Sequence, residues 1–170
     1  MTEIVIPYTP RPLQAHLHEQ LNIHRWAVVV CHRRFGKTVA AINHLLRHAI
    51  LCQEPNARVA YIAPTYRQAK SVAWDYLKQF AGKIPGARFH ETERRCDLPN
   101  GSRIQLLGAE TPDSLRGIYL DYACMDEVAD MPETLFPEII RPALSDRKGS
   151  ALFIGTPRGH NAFFDLYEAA

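Results

Sequence analysis

The sequence predicts an α/β domain, with a mainly parallel central sheet, helices on both faces and a β-hairpin insertion. Three observations carry that prediction. Short, continuously apolar runs rich in β-branched residues read as strands buried on both faces. They alternate with segments whose apolar residues recur at helical spacing. One stretch is divided by Asn100-Gly101, a strong hairpin signal.

Taken in order, "PYTPRPLQ" is a proline-stiffened lead into a helix expected over about residues 13–21. "RWAVVV" (25–30) is the first strand. Val39, Ile42, Leu46, Ala49 and Ile50 then follow helical spacing and form an amphipathic helix of about four turns. "RVAYIAP" (58–64) is a strand, and "TYRQAKSVAWDYLKQF" (65–80) a helix for which Thr65 is the N-cap. "RRCDLPNGSRIQLLG" (94–108) supplies the hairpin, and "IYLDYACM" (118–125) another core strand. "PETLFPEIIRPAL" (132–144) is a proline-punctuated helix, and "ALFIG" (151–155) a further strand. No repeat, low-complexity tract or linker interrupts residues 1–170, so they read as one domain. The closing "NAFFDLYEAA" looks helical but carries no stop signal, so a larger protein is expected to continue past it.

The chain has 170 residues, 46% hydrophobic and 22% charged, which suits a soluble globular domain with a real core. Its start, "MTEIVIPYTPRP", lacks the basic and apolar regions of a signal peptide, and no apolar stretch reaches membrane-spanning length. A cytosolic protein is expected. Net charge of +2 neither demands nor excludes nucleic acid. Cys31, Cys52, Cys96 and Cys124 include no C-x-x-C pair and read as reduced core thiols. His44 and His48 share a helix face at i, i+4. Without a third ligand nearby, a solvated face is the better reading of them than a metal site.

Chemistry enters at "CHRRFGKT" (31–38), between an apolar strand and an amphipathic helix. It ends as a phosphate-binding P-loop ends, although Cys31 stands where the first glycine belongs. Such a loop presents backbone N–H groups and the positive helix end to ATP phosphates. Gly36 permits close approach, Lys37 reaches the β- and γ-phosphates, and the Thr38 hydroxyl ligates Mg²⁺. Arg33 and Arg34 add permanent charge and forked donors beside them. Arg33 is the candidate arginine finger supplied from the same chain, whereas for Arg34 a functional role and a solvated one stand level.

"YACMDE" brings an apolar strand to Asp126-Glu127, the pattern of a Walker B segment. There Asp126 holds the Mg²⁺ shell, and Glu127 orients or deprotonates the attacking water. "LFIGTPRG" (152–159) breaks at Gly155-Thr156-Pro157. If that strand lies beside the P-loop strand, the Thr156 hydroxyl can sense the γ-phosphate. Gln14 has the paired donor and acceptor that suit adenine N6 and N7, though an exposed glutamine opening a helix fits it nearly as well. Arg116 sits before the Asp126 strand. A ten-residue strand between them spans roughly 25–30 Å, out of reach of the chain's own phosphates. Arg116 is then either a finger acting on a neighbouring subunit's ATP or an arginine satisfying the turn at Gly117. Arg94, Arg95 and Arg103 flank the hairpin, where solvated charge is a better reading than contact with nucleic-acid phosphate.

Gln14, "CHRRFGKT", "SLRG", "CMDE" and "IGTPRG", in this order, resemble the large terminase subunits of tailed bacteriophages, the motors that pump DNA into capsids. The likeness covers about residues 8–168. It implies a P-loop NTPase fold of the ASCE type, ATP and Mg²⁺ as ligands, and location in the host cytoplasm. It also implies double-stranded DNA, a portal protein and a small terminase subunit as partners, and a homo-oligomeric ring when active. By the same resemblance Arg33, Arg34, Phe35, Gly36, Lys37 and Thr38 form the nucleotide loop, and Asp126 and Glu127 are the metal and catalytic acids. Thr156 falls in the coupling motif, Gln14 in the adenine segment, and Arg116 matches an arginine acting in trans. The family usually continues into an RNase H-like nuclease. Residues 1–170 hold no such domain, so no DNA cleavage is expected from them. A helicase-like ATPase with a single lobe, and an ATP-switched binding module without turnover, are the competing readings.

Overall fold

The computed structural model describes residues 5–31, 33–156, 159 and 161–169. Seven strands form one sheet: β1 (Trp26–Val30), β2 (Arg58–Ala63), β3 (Arg88–His90), β4 (Arg95–Asp97), β5 (Arg103–Gly108), β6 (Tyr122–Asp126) and β7 (Ser150–Gly155). Their spatial order is β1-β7-β6-β2-β5-β4-β3. Pairing is parallel from β1 through β5 and antiparallel at β4 and β3.

Side chains alternate across a strand, so each strand feeds both faces. Val59, Tyr61, Tyr122, Cys124, Leu152 and Ile154 enter one core cluster. Their neighbours Ala60, Ile62, Ala123, Met125, Ala151 and Phe153 enter the other. Burial on both sides is the physical reason these runs are apolar throughout. The first face is covered by α1 (Pro12–Ile23), α2 (Lys37–Leu51), α3 (Tyr66–Ala69) and α4 (Asp75–Ala81). The second is covered by α5 (Arg141–Ser145) and α6 (Ala162–Glu168). Within α2, Ile42, Leu45, Leu46 and Ala49 are 0% exposed. Each of the larger three contributes about 1.5–3 kcal/mol of burial, which anchors the loop that opens the helix.

Several boundaries differ from expectation. The helix expected over 65–80 starts as foreseen. Thr65 Oγ1 accepts from the Gln68 N–H, and the Thr65 N–H donates to Gln68 Oε1, both at 3.1 Å. A π turn at Lys70–Trp74 then separates α3 from α4. The expected hairpin is β4 and β5, with Gly101 at φ +83° in its turn. β3 was not foreseen, because three residues with charged ends carry no periodic signal. The helix expected over 132–144 is a π turn (Phe136–Ile140) followed by α5.

The strand expected over 118–125 is a correction of consequence. β6 begins only at Tyr122, because residues 117–121 form a crossover tied elsewhere: the Leu120 N–H donates to Ala143 O (2.8 Å) and the Asp121 N–H to Arg58 O (2.7 Å). Arg116 therefore lies not at a strand entry but at the end of a 3₁₀ turn (Pro112–Leu115). The separation read from a ten-residue strand does not follow. His44 is the second correction. It is 4% exposed, stacked on His18 and edge-on to Tyr122, so it belongs to the core and not to a solvated face.

Candidate active site

The carboxyl ends of β1, β6 and β7 meet the start of α2. β1 leads through a 3₁₀ turn (Arg33–Phe35) to Gly36, whose φ of +79° lies in the left-handed region that favours glycine. A Cβ at this position would collide with the Arg11 guanidinium and lie 2.8 Å from Gln14 Nε2. Those two side chains brace the loop from its carbonyl side. Arg11 donates to Arg34 O (3.2 Å) and Phe35 O (2.9 Å), and Gln14 donates to Phe35 O (3.3 Å) and Gly36 O (3.1 Å). With loop carbonyls held on that side, the N–H groups are left for an anion on the other.

Gln14 is thus more than an exposed helix-opening residue. It is 3% exposed, its Oε1 accepts from the Arg11 N–H (3.0 Å), and its amide nitrogen serves two loop carbonyls. Reading adenine would require it to give up those bonds. Arg11 carried no sequence signal beyond its place in a proline-rich segment. The backbone of Arg33 lies in the 3₁₀ turn, but its side chain, on which the finger role depends, falls outside the described residues.

Lys37, Thr38, Asp126 and Glu127 come together. Lys37 Nζ hydrogen-bonds Glu127 Oε1 and lies 3.6 Å from Asp126 Oδ1. Burial opposes the lysine's charge, but the Glu127 hydrogen bond and the two carboxylates outweigh it and raise its pKa. Asp126 ends β6 at 5% exposure. Burial lifts its carboxyl above the ordinary range, while the Tyr61 hydrogen bond and Lys37 pull it back. Asp126 Oδ1 and Glu127 Oε2 are buried without a hydrogen-bond partner. Such oxygens are costly unless something else occupies them. Glu127 also holds a left-handed backbone at φ +56°, which costs a non-glycine residue on the order of 1–3 kcal/mol.

Tyr61 was missed by the sequence reading. It is wholly buried and donates to Asp126 Oδ2. No motif flags a tyrosine inside a core strand, and only the strand register brings it here. β7 does lie beside β1, with Val30 opposite Gly155 and the Cys31 N–H donating to Gly155 O (3.4 Å). Thr156 therefore follows directly beside the first loop residue, while Pro157 and Arg158 lie outside the described residues. Arg116 is exposed and paired with Asp113 at 2.8 Å. Arg94, Arg95 and Arg103 are ion-paired to Glu91, Glu93 and Asp97 respectively, which leaves little charge to offer a nucleic acid.

A family model described as "Terminase large subunit, T4likevirus-type, N-terminal" matches residues 32–170. The chain belongs to the terminase large-subunit family. The terminase large subunit of Thermus virus P23-45 is 32% identical over 88% of this chain and 35% of its own length. That of Escherichia phage T5 is 33% identical over 85% of this chain and 33% of its own. The chain therefore spans about a third of the curated relatives it matches. Among solved structures, the Thermus phage P74-26 large terminase ATPase domain superposes with a TM-score of 0.73 at 29% identity, over 94% of this chain and 70% of that one. A large terminase from a thermophilic bacteriophage, solved with ADP, superposes at 0.72 over 87% of this chain and 39% of that one; at 20% identity it supports the fold alone. The parallel sheet with an apolar strand, loop and helix at its edge is thus the terminase ATPase-domain fold. No helix among the described residues is long and apolar enough to cross a membrane.

Proposed function

We propose that this terminase domain hydrolyses ATP and that hydrolysis drives double-stranded DNA into a capsid. The observation that carries the reading is the convergence of Lys37, Thr38, Asp126 and Glu127 at one sheet edge, with Asp126 Oδ1 and Glu127 Oε2 buried without a hydrogen bond. Lys37 is held by carboxylates in this structure. ATP phosphates compete for its charge, and as Lys37 turns to them Glu127 is released to take a proton from water. Loop N–H groups and the start of α2 bind the phosphate oxygens.

Thr38 and Asp126 are the residues that would hold Mg²⁺. Their donor set, a hydroxyl and a carboxylate with a free buried oxygen, fits a hard cation that keeps most of its waters. When bound, the ion neutralises phosphate charge. Thr156, beside the loop, is the candidate γ-phosphate sensor, and Arg33 the candidate finger in cis. Arg116, exposed and paired with Asp113 on the surface, is available to a neighbouring copy, which suits a homo-oligomeric ring. A portal protein and a small terminase subunit are the partners this reading implies, and host cytoplasm the location. Cutting of DNA is not assigned to these residues.

Phosphate release from ATP, with and without Mg²⁺, tests the reading. We expect metal-dependent turnover that Glu127→Ala abolishes. Equal rates in wild type and Glu127→Ala would favour a binding module without catalysis. Metal-dependent DNA cleavage by the protein would overturn the division of labour.

A further inference from the structure

Asp126 ends β6, and a side chain from a neighbouring strand, Tyr61 of β2, is hydrogen-bonded to it. Tyr61 is opposite Cys124 in the β2–β6 register, so Asp126 lies two residues further along the same face. Two residues of strand advance about 6.6 Å, which the length of a phenol ring covers. The ring is 0% exposed and packed in the core beneath α2. Its hydroxyl is therefore fixed from below by packing and has one place to be.

The hydrogen bond there has a direction: the Tyr61 hydroxyl donates to Asp126 Oδ2. An aspartate that spends Oδ2 on Tyr61 turns Oδ1 the other way, buried without a hydrogen bond and 3.6 Å from Lys37 Nζ. That oxygen presents its lone pairs to the space where a divalent cation requires them.

We propose that Tyr61 is a positioning residue for the divalent cation of the nucleotide site, its hydroxyl orienting Asp126 so that Oδ1 faces the ion. The proposal rests on the ATP-site reading above. Tyr61 does not touch nucleotide, so its removal acts on metal affinity and leaves metal-free nucleotide affinity alone. The molecule supplies its own control. Tyr122 lies on the same face, at 2% exposure, with a buried hydroxyl that has no partner.

The test measures Mn²⁺ binding by electron paramagnetic resonance at saturating ADP, and ADP binding in EDTA, for wild type, Tyr61→Phe and Tyr122→Phe. Tyr61→Phe is expected to weaken Mn²⁺ by about tenfold or more, the usual loss for a partner of a metal-holding group. Its ADP affinity in EDTA stays at the wild-type value, and Tyr122→Phe changes neither quantity. Should Tyr61→Phe not fold, Tyr61→Met is measured in its place and must show the same selective loss. Mn²⁺ affinity within roughly twofold of wild type, well short of that loss, would overturn the role of Tyr61. A wild-type protein that binds no Mn²⁺ with ADP would instead overturn the nucleotide-site reading beneath it.

Discussion

Two aspartates flank the same strand and meet opposite fates. Asp121 precedes β6 and Asp126 ends it; they are 4% and 5% exposed. Asp121 Oδ2 accepts the Arg58 N–H at 2.7 Å, and its Oδ1 lies 3.6 Å from Arg147. Asp126 Oδ2 accepts from Tyr61, and its Oδ1 lies 3.6 Å from Lys37 without a hydrogen bond. Equal burial with different partners separates an acid tied to a backbone N–H, which holds the fold, from one whose partners Tyr61 and Lys37 belong to the site. At the lower end the one orphaned atom named above, the Tyr122 hydroxyl, is neutral. The upper end carries orphaned oxygens, a strained Glu127 and a braced loop.

The largest expected effect at the upper end is that of Lys37→Ala. It should lower ATP turnover by about 10²–10³-fold, the usual loss of a group that stabilises transferring phosphate charge, in a steady-state phosphate-release assay. A decrease in thermal stability without a decrease in turnover would break the contrast. Asp121→Ala belongs to the lower end. It should cost about 1–3 kcal/mol in denaturant unfolding, because the Arg58 N–H loses its acceptor, while nucleotide affinity is unchanged. Asp126→Asn should show the reverse, with stability held and metal-dependent nucleotide binding impaired.

The lower end also predicts a pH dependence. Burial, and then the neighbouring His18, His48 and Arg47, lower His44 to about 3 from 6.5. The unfolded chain thus takes up a proton that the folded chain refuses, so stability is full above pH 6.5 and falls on acidification. Between pH 6.5 and 5 that loss is about 2 kcal/mol from His44 alone. His44→Phe should make the profile shallower over that interval, as read by urea unfolding at each pH, with the remaining slope coming from His18 and His48, which burial also lowers. The smallest effect is at the brace. Arg11→Ala should weaken nucleotide binding about threefold, the value of exposed hydrogen bonds, measured by titration calorimetry.

The same contrast explains what the sequence disclosed. Strand and helix order was legible because burial on both faces of β2, β6 and β7 writes itself as apolar runs. Gly36-Lys37-Thr38 and Asp126-Glu127 were legible because phosphate and metal chemistry constrain residue type at fixed spacing. Tyr61 and Arg11 were not, since both act through register and packing between distant elements. The solvated reading of His44 missed for the same reason: its partners, His18 and Tyr122, are 26 and 78 positions away in the sequence. The expected distance from Arg116 to the site rested on a strand boundary, and boundaries yield to crossover hydrogen bonds such as Leu120 to Ala143.

The most direct test of the upper end as an ATPase site is Glu127→Gln, isosteric and unable to accept the proton. Steady-state ATP hydrolysis and ADP affinity would be measured side by side with wild type. We predict that turnover falls by about a hundredfold or more while ADP affinity is retained. Turnover equal to wild type would contradict the assignment of Glu127 as the base and, with it, the account of this edge as catalytic.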